Sequence, residues 1–224
     1  RLQRAETGVL TIGFVSTAKY FLMRMLAHFR TLHPGVDIQI SIGNRDQLVS
    51  MLQNSEVDIA VMGRPPKELK TRAEPFAAHP HVFVSSIDHP LAQRDHLVVE
   101  DLRPFDFIVR EKGAGTRAAM EKFFEDTHVT PRMKFELQSN ETIKQAVMAG
   151  LGLGFLSLHT IGFELEQNLI RMLDVQGAPV VRAWNVVHMQ SKMLSPAAEA
   201  FRYYMLEEAE GFLAQRFSKH WPPA

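Results

Sequence analysis

The sequence predicts an α/β protein built on parallel sheets, and three observations predict it. A short apolar strand, Val9 to Val15, breaks at Ser16-Thr17 and gives way to a helical run. The same order of strand, polar turn and helix recurs at least three more times. Ile59-Ala60-Val61-Met62 is a short continuous apolar strand of the kind that parallel sheets bury on both faces.

Each element has its own signal. The first helix carries Leu22, Met25, Leu26 and Phe29 on one face, with Ser16 or Thr17 as its expected N-cap, and His33-Pro34-Gly35 stops it. Val36 to Ile42 alternates as a half-buried strand should, ends at Gly43-Asn44-Arg45, and leads to a helix with Leu48, Val49, Met51 and Leu52 inward. After Asp58 and the apolar strand, Gly63-Arg64-Pro65-Pro66 is an abrupt stop. This β-α-β-α-β order implies right-handed crossovers. Val82 to Ser86 is a further strand, where the chain is expected to pass into a second lobe. There, Phe107 to Arg110, a helix from Thr116 to Asp126, Phe135 to Gln138, a helix opened by Ser139-Asn140-Glu141-Thr142, and Leu151 to Leu158 form a second unit of the same kind. Gly150 stands where a left-handed residue closes a helix. Ile170 to Val175 and Trp184 to Met189 are the last strands, the latter returning to the first lobe. Ser195-Pro196 then opens a long helix to about Phe217, and Trp221 to Ala224 reads as a frayed tail.

Length and composition bound the function. The 224 residues, 46% of them hydrophobic, suffice for one large domain or two lobes of about 100 residues each. The 25 basic and 25 acidic side chains cancel, which argues against extensive nonspecific nucleic-acid binding. Without cysteine there is no disulfide framework and no thiolate metal site, as fits a cytoplasmic protein. No apolar run reaches the roughly 18 residues of a membrane helix. The charged start, Arg1 to Gly8, has no signal-peptide core and reads as the tail of a helix closed by Gly8.

Four stations at strand ends are candidate ligand sites. They are Ser16-Thr17 with Lys19, Gly43-Asn44-Arg45, Gly63-Arg64-Pro65, and Thr116-Arg117 joined by Ser139-Asn140. Any one of them has a plain alternative, because Ser, Thr and Asn cap helices and Gly with Asn makes turns. Their joint placement after parallel strands, where clefts of such folds lie, favours a binding role, and the starts are expected to converge on one cleft. Helix N-termini together with Lys19, Arg45, Arg64 and Arg117 suit a phosphorylated or carboxylated metabolite, since guanidinium forks donate two parallel hydrogen bonds.

Other chemistries find less support. Gly113-Ala114-Gly115-Thr116-Arg117-Ala118 lacks the third glycine and the acidic residue of a dinucleotide fingerprint. Of ten histidines only His79-Pro80-His81 forms a close pair, and no H-x-x-x-H spacing exists, so no metal is expected. There is no G-x-S-x-G elbow, and Glu207-Glu208 reads as a solvated helix face. No catalytic residue is assigned.

Several motifs resemble the effector-binding domain of LysR-type transcriptional regulators. They are Gly8 to Gly13, Leu26-Ala27-His28-Phe29, His33-Pro34-Gly35-Val36, Glu56-Val57-Asp58-Ile59-Ala60, His89-Pro90-Leu91-Ala92, Gly115-Thr116-Arg117, Ser139 to Lys144 and Val147 to Gly152. The resemblance runs from about residue 1 to 215. Ser16 to Phe21, Gly43-Asn44-Arg45 and Met62 to Pro66 look most like the Calvin-cycle (CbbR-type) subfamily.

The resemblance implies two Rossmann-like subdomains joined by two crossover strands, as in type 2 periplasmic binding proteins. Subdomain I would hold residues 8–85 and 187–217, subdomain II residues 86–186, and residues 1–7 the end of a linker helix. It implies a small anionic effector between the lobes, such as a phosphorylated sugar, phosphoenolpyruvate or NADPH, with no further cofactor. It also implies a homodimer or homotetramer, RNA polymerase as a further partner, no membrane, and DNA contact only through an N-terminal winged helix-turn-helix that this chain lacks. The ligand residues would be Ser16, Thr17, Lys19, Gly43, Asn44, Arg45, Arg64, Pro65, Thr116, Arg117, Ser139 and Asn140. Two rivals share the architecture: a solute receptor of a transporter, and an enzyme such as a lyase or dehydratase.

Overall fold

Strands and helices alternate along residues 7–221, the part of the chain that the computed structural model describes. In chain order they are β1 (Gly8–Val15), α1 (Lys19–Leu32), β2 (Val36–Gly43), α2 (Arg45–Gln53), β3 (Ile59–Met62) and β4 (Thr71–Ser85). Then come β5 (Asp106–Arg110), α3 (Gly115–Thr127), β6 (Arg132–Leu137), α4 (Asn140–Met148) and β7 (Leu153–Ser157). The last are α5 (Gly162–Glu166), β8 (Arg171–Met172), β9 (Val180–Met189) and α6 (Pro196–Phe217).

The chain divides into two units, one of residues up to 78 with 183 onward, the other of residues 79–182. It passes from one unit to the other inside β4 and returns inside β9. The sequence places these crossings at 85/86 and 186/187, a few residues later in each strand. Apart from Thr7, the expected linker-helix end lies outside the described residues, as does the tail beyond Trp221.

In unit 1 the strand order is β2-β1-β3-β9. β1 runs parallel to both β2 and β3, with Val15 beside Gly43 and Phe14 beside Val61, while β9 is antiparallel to β3. The two faces of β3 and β9 are filled separately. Ala60, Met62 and Val187 pack with Leu48 and Leu52 of α2, and Trp184 meets Phe21 of α1 edge-on at 5.2 Å. Phe29 of α1 in turn packs on Phe201 and Tyr204 of α6. Gly13 permits the close approach of α2, because a Cβ there would lie 3.1 Å from Leu48 and 3.2 Å from Val57.

Unit 2 repeats the plan with β4-β7-β5-β6, where β5 is parallel to β6 and β7. Phe83, Phe107, Phe123, Phe124 and Phe155 form an aromatic core beneath α3. Fully burying each such ring stabilises by about 1.5–3 kcal/mol relative to leaving it exposed. On the other face Gly154 admits α4, since a Cβ there would lie 3.0 Å from Val147. Gly150 has φ +85°, as its place after α4 predicts.

Three local expectations need correction. Ser16 and Thr17 do not cap α1 through their side chains. Residues 16–18 form a 3-10 turn, and α1 begins at Lys19 without a side-chain cap. β4 begins at Thr71, well before Val82, and Ile170 to Val175 contributes only the two-residue β8.

Candidate functional site

Of the three parallel strands in each unit the middle one comes first in sequence, so the chain winds out to one side of it and then to the other. The gap between the first and third strands is the topological switch point, where helices leave in opposite directions and ligands of open α/β sheets bind. In unit 1 this point lies between the carboxyl ends of β1 and β3, that is, between Ser16-Thr17-Lys19 and Gly63-Arg64-Pro65. In unit 2 it lies between the ends of β5 and β7, between Glu111 to Thr116 and Ser157 to Thr160.

The unit 1 switch point offers uncommitted polar groups. Ser16 and Lys19 are half-buried, Thr17 is buried and Arg64 is exposed. Neither hydroxyl is spent on a cap. Among the described residues Lys19 and Arg64 make no ion pair, though the Lys19 ammonium lies 5.3 Å from the centre of the Tyr20 ring. Asn185 of β9 fixes the far side by donating to the Gly63 carbonyl at 2.5 Å.

The neighbouring station after β2 is more committed. Asn44 caps α2 in a reciprocal box: its Oδ1 accepts from Gln47 N–H at 2.9 Å, and Gln47 Oε1 accepts from Asn44 N–H at 2.8 Å. Gly43 makes room for the box, since a Cβ there would lie 2.9 Å from Gln47. Arg45 is 8% exposed and donates to both oxygens of Glu68, at 3.2 and 3.4 Å. That guanidinium beside Glu68 holds its carboxyl below the usual range.

Unit 2 fills its own switch point. Arg110, 4% exposed, donates to Glu111 and to Asn140 Oδ1, both at 2.8 Å. Arg117 donates to Glu121 at 2.7 Å and to Glu136 and the Arg110 carbonyl at 2.8 Å each. Thr116 is buried, and Ser139 caps α4 by accepting from Thr142 N–H at 3.2 Å. Lys144 reaches the Thr160 carbonyl at 2.9 Å, with Glu141 and Glu164 beside it.

Sequence reading missed what lies on the β7 side. His79 Nε2 and Ser157 Oγ are 2.8 Å apart, the His79 ring sits 4.2 Å from that of His81 and 5.8 Å from that of His159, and all four side chains are buried. Burial, the neighbouring imidazoles and Arg182 push the His79 pKa well down. Burial and Arg182 bring His81 to about 4, and burial with His81 brings His159 to about 3. The His79-Pro80-His81 pair was the visible signal, but nothing in the letters joins it to His159. No group of three or more histidine and carboxylate side chains among the described residues is arranged to hold a metal ion.

Of the expected ligand residues, Ser16, Thr17, Lys19, Gly43, Asn44, Arg45, Arg64 and Pro65 belong to unit 1, and Thr116, Arg117, Ser139 and Asn140 to unit 2. Within unit 1 they share one sheet end, because β1, β2 and β3 are parallel. The same holds for those of unit 2 after β5 and β6.

Comparison with known proteins adds to this geometry. The LysR substrate binding domain family matches residues 3–210. The transcriptional regulator CfxR of Cupriavidus necator is 50% identical over 217 residues, which cover 97% of this chain and 68% of that protein. CbbR of Xanthobacter flavus is 42% identical, over 96% of this chain and 65% of its own length. The chain thus spans about two thirds of the length of these relatives. Among solved structures, the regulatory domain of Synechocystis CcmR, in complex with 2-PG, superposes with a TM-score of 0.86 at 35% identity, covering 90% of this chain and 97% of that one. The effector-binding domain of QuiR in complex with shikimate gives 0.81 at 18% identity over 90% and 96% of the two chains, a likeness of fold alone.

Proposed function

From the premise that the chain belongs to the family of LysR substrate-binding domains, we propose that it senses a small phosphorylated metabolite and so controls transcription of carbon-fixation genes. It is the effector-binding part of a regulator, and its role is recognition rather than catalysis. Two of its relatives are named as RuBisCO operon regulators, and a structural neighbour holds 2-phosphoglycolate, which makes that compound the first ligand to test.

The observation that carries this reading is the open switch point of unit 1. Two hydroxyls free of capping duty and two cations that make no ion pair among the described residues stand at one sheet end. Hydroxyls and backbone N–H groups donate to phosphate oxygens, while Lys19 and Arg64 supply opposite charge. To act as a signal, the ligand must bind one conformation of the protein better than another, since equal affinity shifts nothing. DNA contact belongs to the winged helix-turn-helix of the whole regulator, which works in the cytoplasm with RNA polymerase as a further partner. No described helix is long and apolar enough to cross a membrane. A homodimer or homotetramer is supported by the edge strands β2 and β6, which leave Ile40, Ile42, Met133 and Phe135 exposed.

A thermal-shift screen against 2-phosphoglycolate, phosphoenolpyruvate, ribulose bisphosphate and NADPH, with glycolate, pyruvate and ribulose as unphosphorylated counterparts, tests the proposal. A true effector at a hundred times its Kd stabilises by about 2.7 kcal/mol. A screen in which only unphosphorylated compounds shift the transition would overturn the phosphate assignment.

A further inference from the structure

Three buried arginines stand near strand ends, and one is held differently from the others. Arg110 and Arg117 each make contacts of 2.7–2.8 Å, the length expected of charge-assisted hydrogen bonds. Arg45 reaches Glu68 only at 3.2 and 3.4 Å and Asp46 at 3.5 Å, and its Nε is buried without a hydrogen-bond partner. The donors are therefore underused in a place where a buried cation needs an anion.

The two partners are also unequal. Arg45 is fixed in the first turn of α2 and is 8% exposed, whereas the Glu68 side chain keeps 52% of its surface in water. Releasing Glu68 returns a carboxylate to solvent at little cost, but leaving Arg45 without an anion is expensive. Topology places the pair usefully. β1 lies between β2 and β3, so the contact ties the segment leaving β3 to the helix that follows β2, across the carboxyl end of β1.

Resting on the phosphate reading above, we propose that Glu68 is a resident anion that occupies the phosphate position on Arg45, and that the effector binds by displacing it. The exchange sets specificity. A monocarboxylate would replace a tethered carboxylate with an equivalent group and gain nothing, because the tether gives Glu68 a high effective concentration. A phosphomonoester carries nearly two charges and three strong acceptor oxygens, so it gives both Nη donors the short charge-assisted hydrogen bonds that Glu68 does not. The site thereby rejects simple carboxylates without any steric barrier.

Calorimetric titration of the protein with 2-phosphoglycolate and with glycolate, in the natural sequence and in Glu68→Gln, tests the exchange. Removing the charge of Glu68 raises affinity for the phosphate compound at least threefold and makes glycolate binding measurable. Arg45→Lys weakens phosphate binding at least tenfold with or without Glu68→Gln. Glu136→Gln, which alters the partner of Arg117 instead, changes affinity less than twofold. If Lys19→Ala weakens binding while Glu68→Gln leaves both affinities unchanged, the resident-anion idea falls and the phosphate reading stands. If the natural protein takes up no phosphorylated ligand, inorganic phosphate followed at the Arg45 Nε–H resonance decides. A resonance that moves, and moves at lower phosphate in Glu68→Gln, upholds the exchange, whereas one that stays still removes both readings.

Discussion

Unit 1 and unit 2 share strand order, helix placement and even the small residue under the second helix, yet they handle charge in opposite ways. Lys19 and Arg64 stand at the unit 1 switch point without ion pairs among the described residues, and Arg45 is loosely held. In unit 2 Arg110, Arg117 and Lys144 are each tied to carboxylates, and three buried imidazoles cluster beside Ser157 at the end of β7. The contrast teaches that a switch point is a location, not a function. It becomes a binding site only where the chain leaves its donors and charges unspent.

The largest test of this contrast is acid. His81 and His159 are neutral in the folded protein, at about 4 and about 3, but take up protons near 6.5 when unfolded. Folded pKa values below unfolded ones mean that the unfolded chain binds more protons as pH falls from 6.5. Stability should therefore drop by about 4 kcal/mol from these two groups between pH 6.5 and 4.5. Urea unfolding at the two pH values, with His81→Phe and His159→Gln each removing about half of the drop, checks it. Equal slopes in all three proteins would show that unit 2 is not packed with neutral imidazoles.

A smaller effect separates structural from binding cations. Arg117→Met strands the buried Arg110 carbonyl and should cost about 2 kcal/mol of stability. Affinity for 2-phosphoglycolate should change little. Lys19→Ala and Arg64→Ala should do the reverse, weakening binding at least tenfold while the unfolding midpoint in urea stays put. Should Arg117→Met instead abolish binding in a stable protein, the division of labour between the units would have to be redrawn.

Much of this was legible because it is local. The periodicity of Leu22, Met25, Leu26 and Phe29, the Ser195-Pro196 start and Gly150 all report conditions set within one turn of chain. β4 was cut short because Pro75 and Pro80 interrupt the stretch before Val82, and proline normally argues against strand interiors. Ser16 looks like a cap in sequence, but the 3-10 turn puts Ala18 at that position. The pairing of Arg45 with Glu68 and the meeting of His79 with His159 depend on residues 23 and roughly 80 positions apart, which no window of sequence reports. Stations at strand ends could be named from the letters. Which of them remain available could not, because availability is decided by distant carboxylates.

The two passages of the chain through β4 and β9 also order its birth on the ribosome. Unit 2 is one uninterrupted stretch and can close as soon as residue 182 has emerged. Unit 1 waits for Trp184, the ring that packs against Phe21, and for the terminal helix that covers Phe29. The half with the unspent charges is thus begun first and finished last, so a stop between residue 182 and α6 leaves unit 1 unbuilt while its neighbour is already complete.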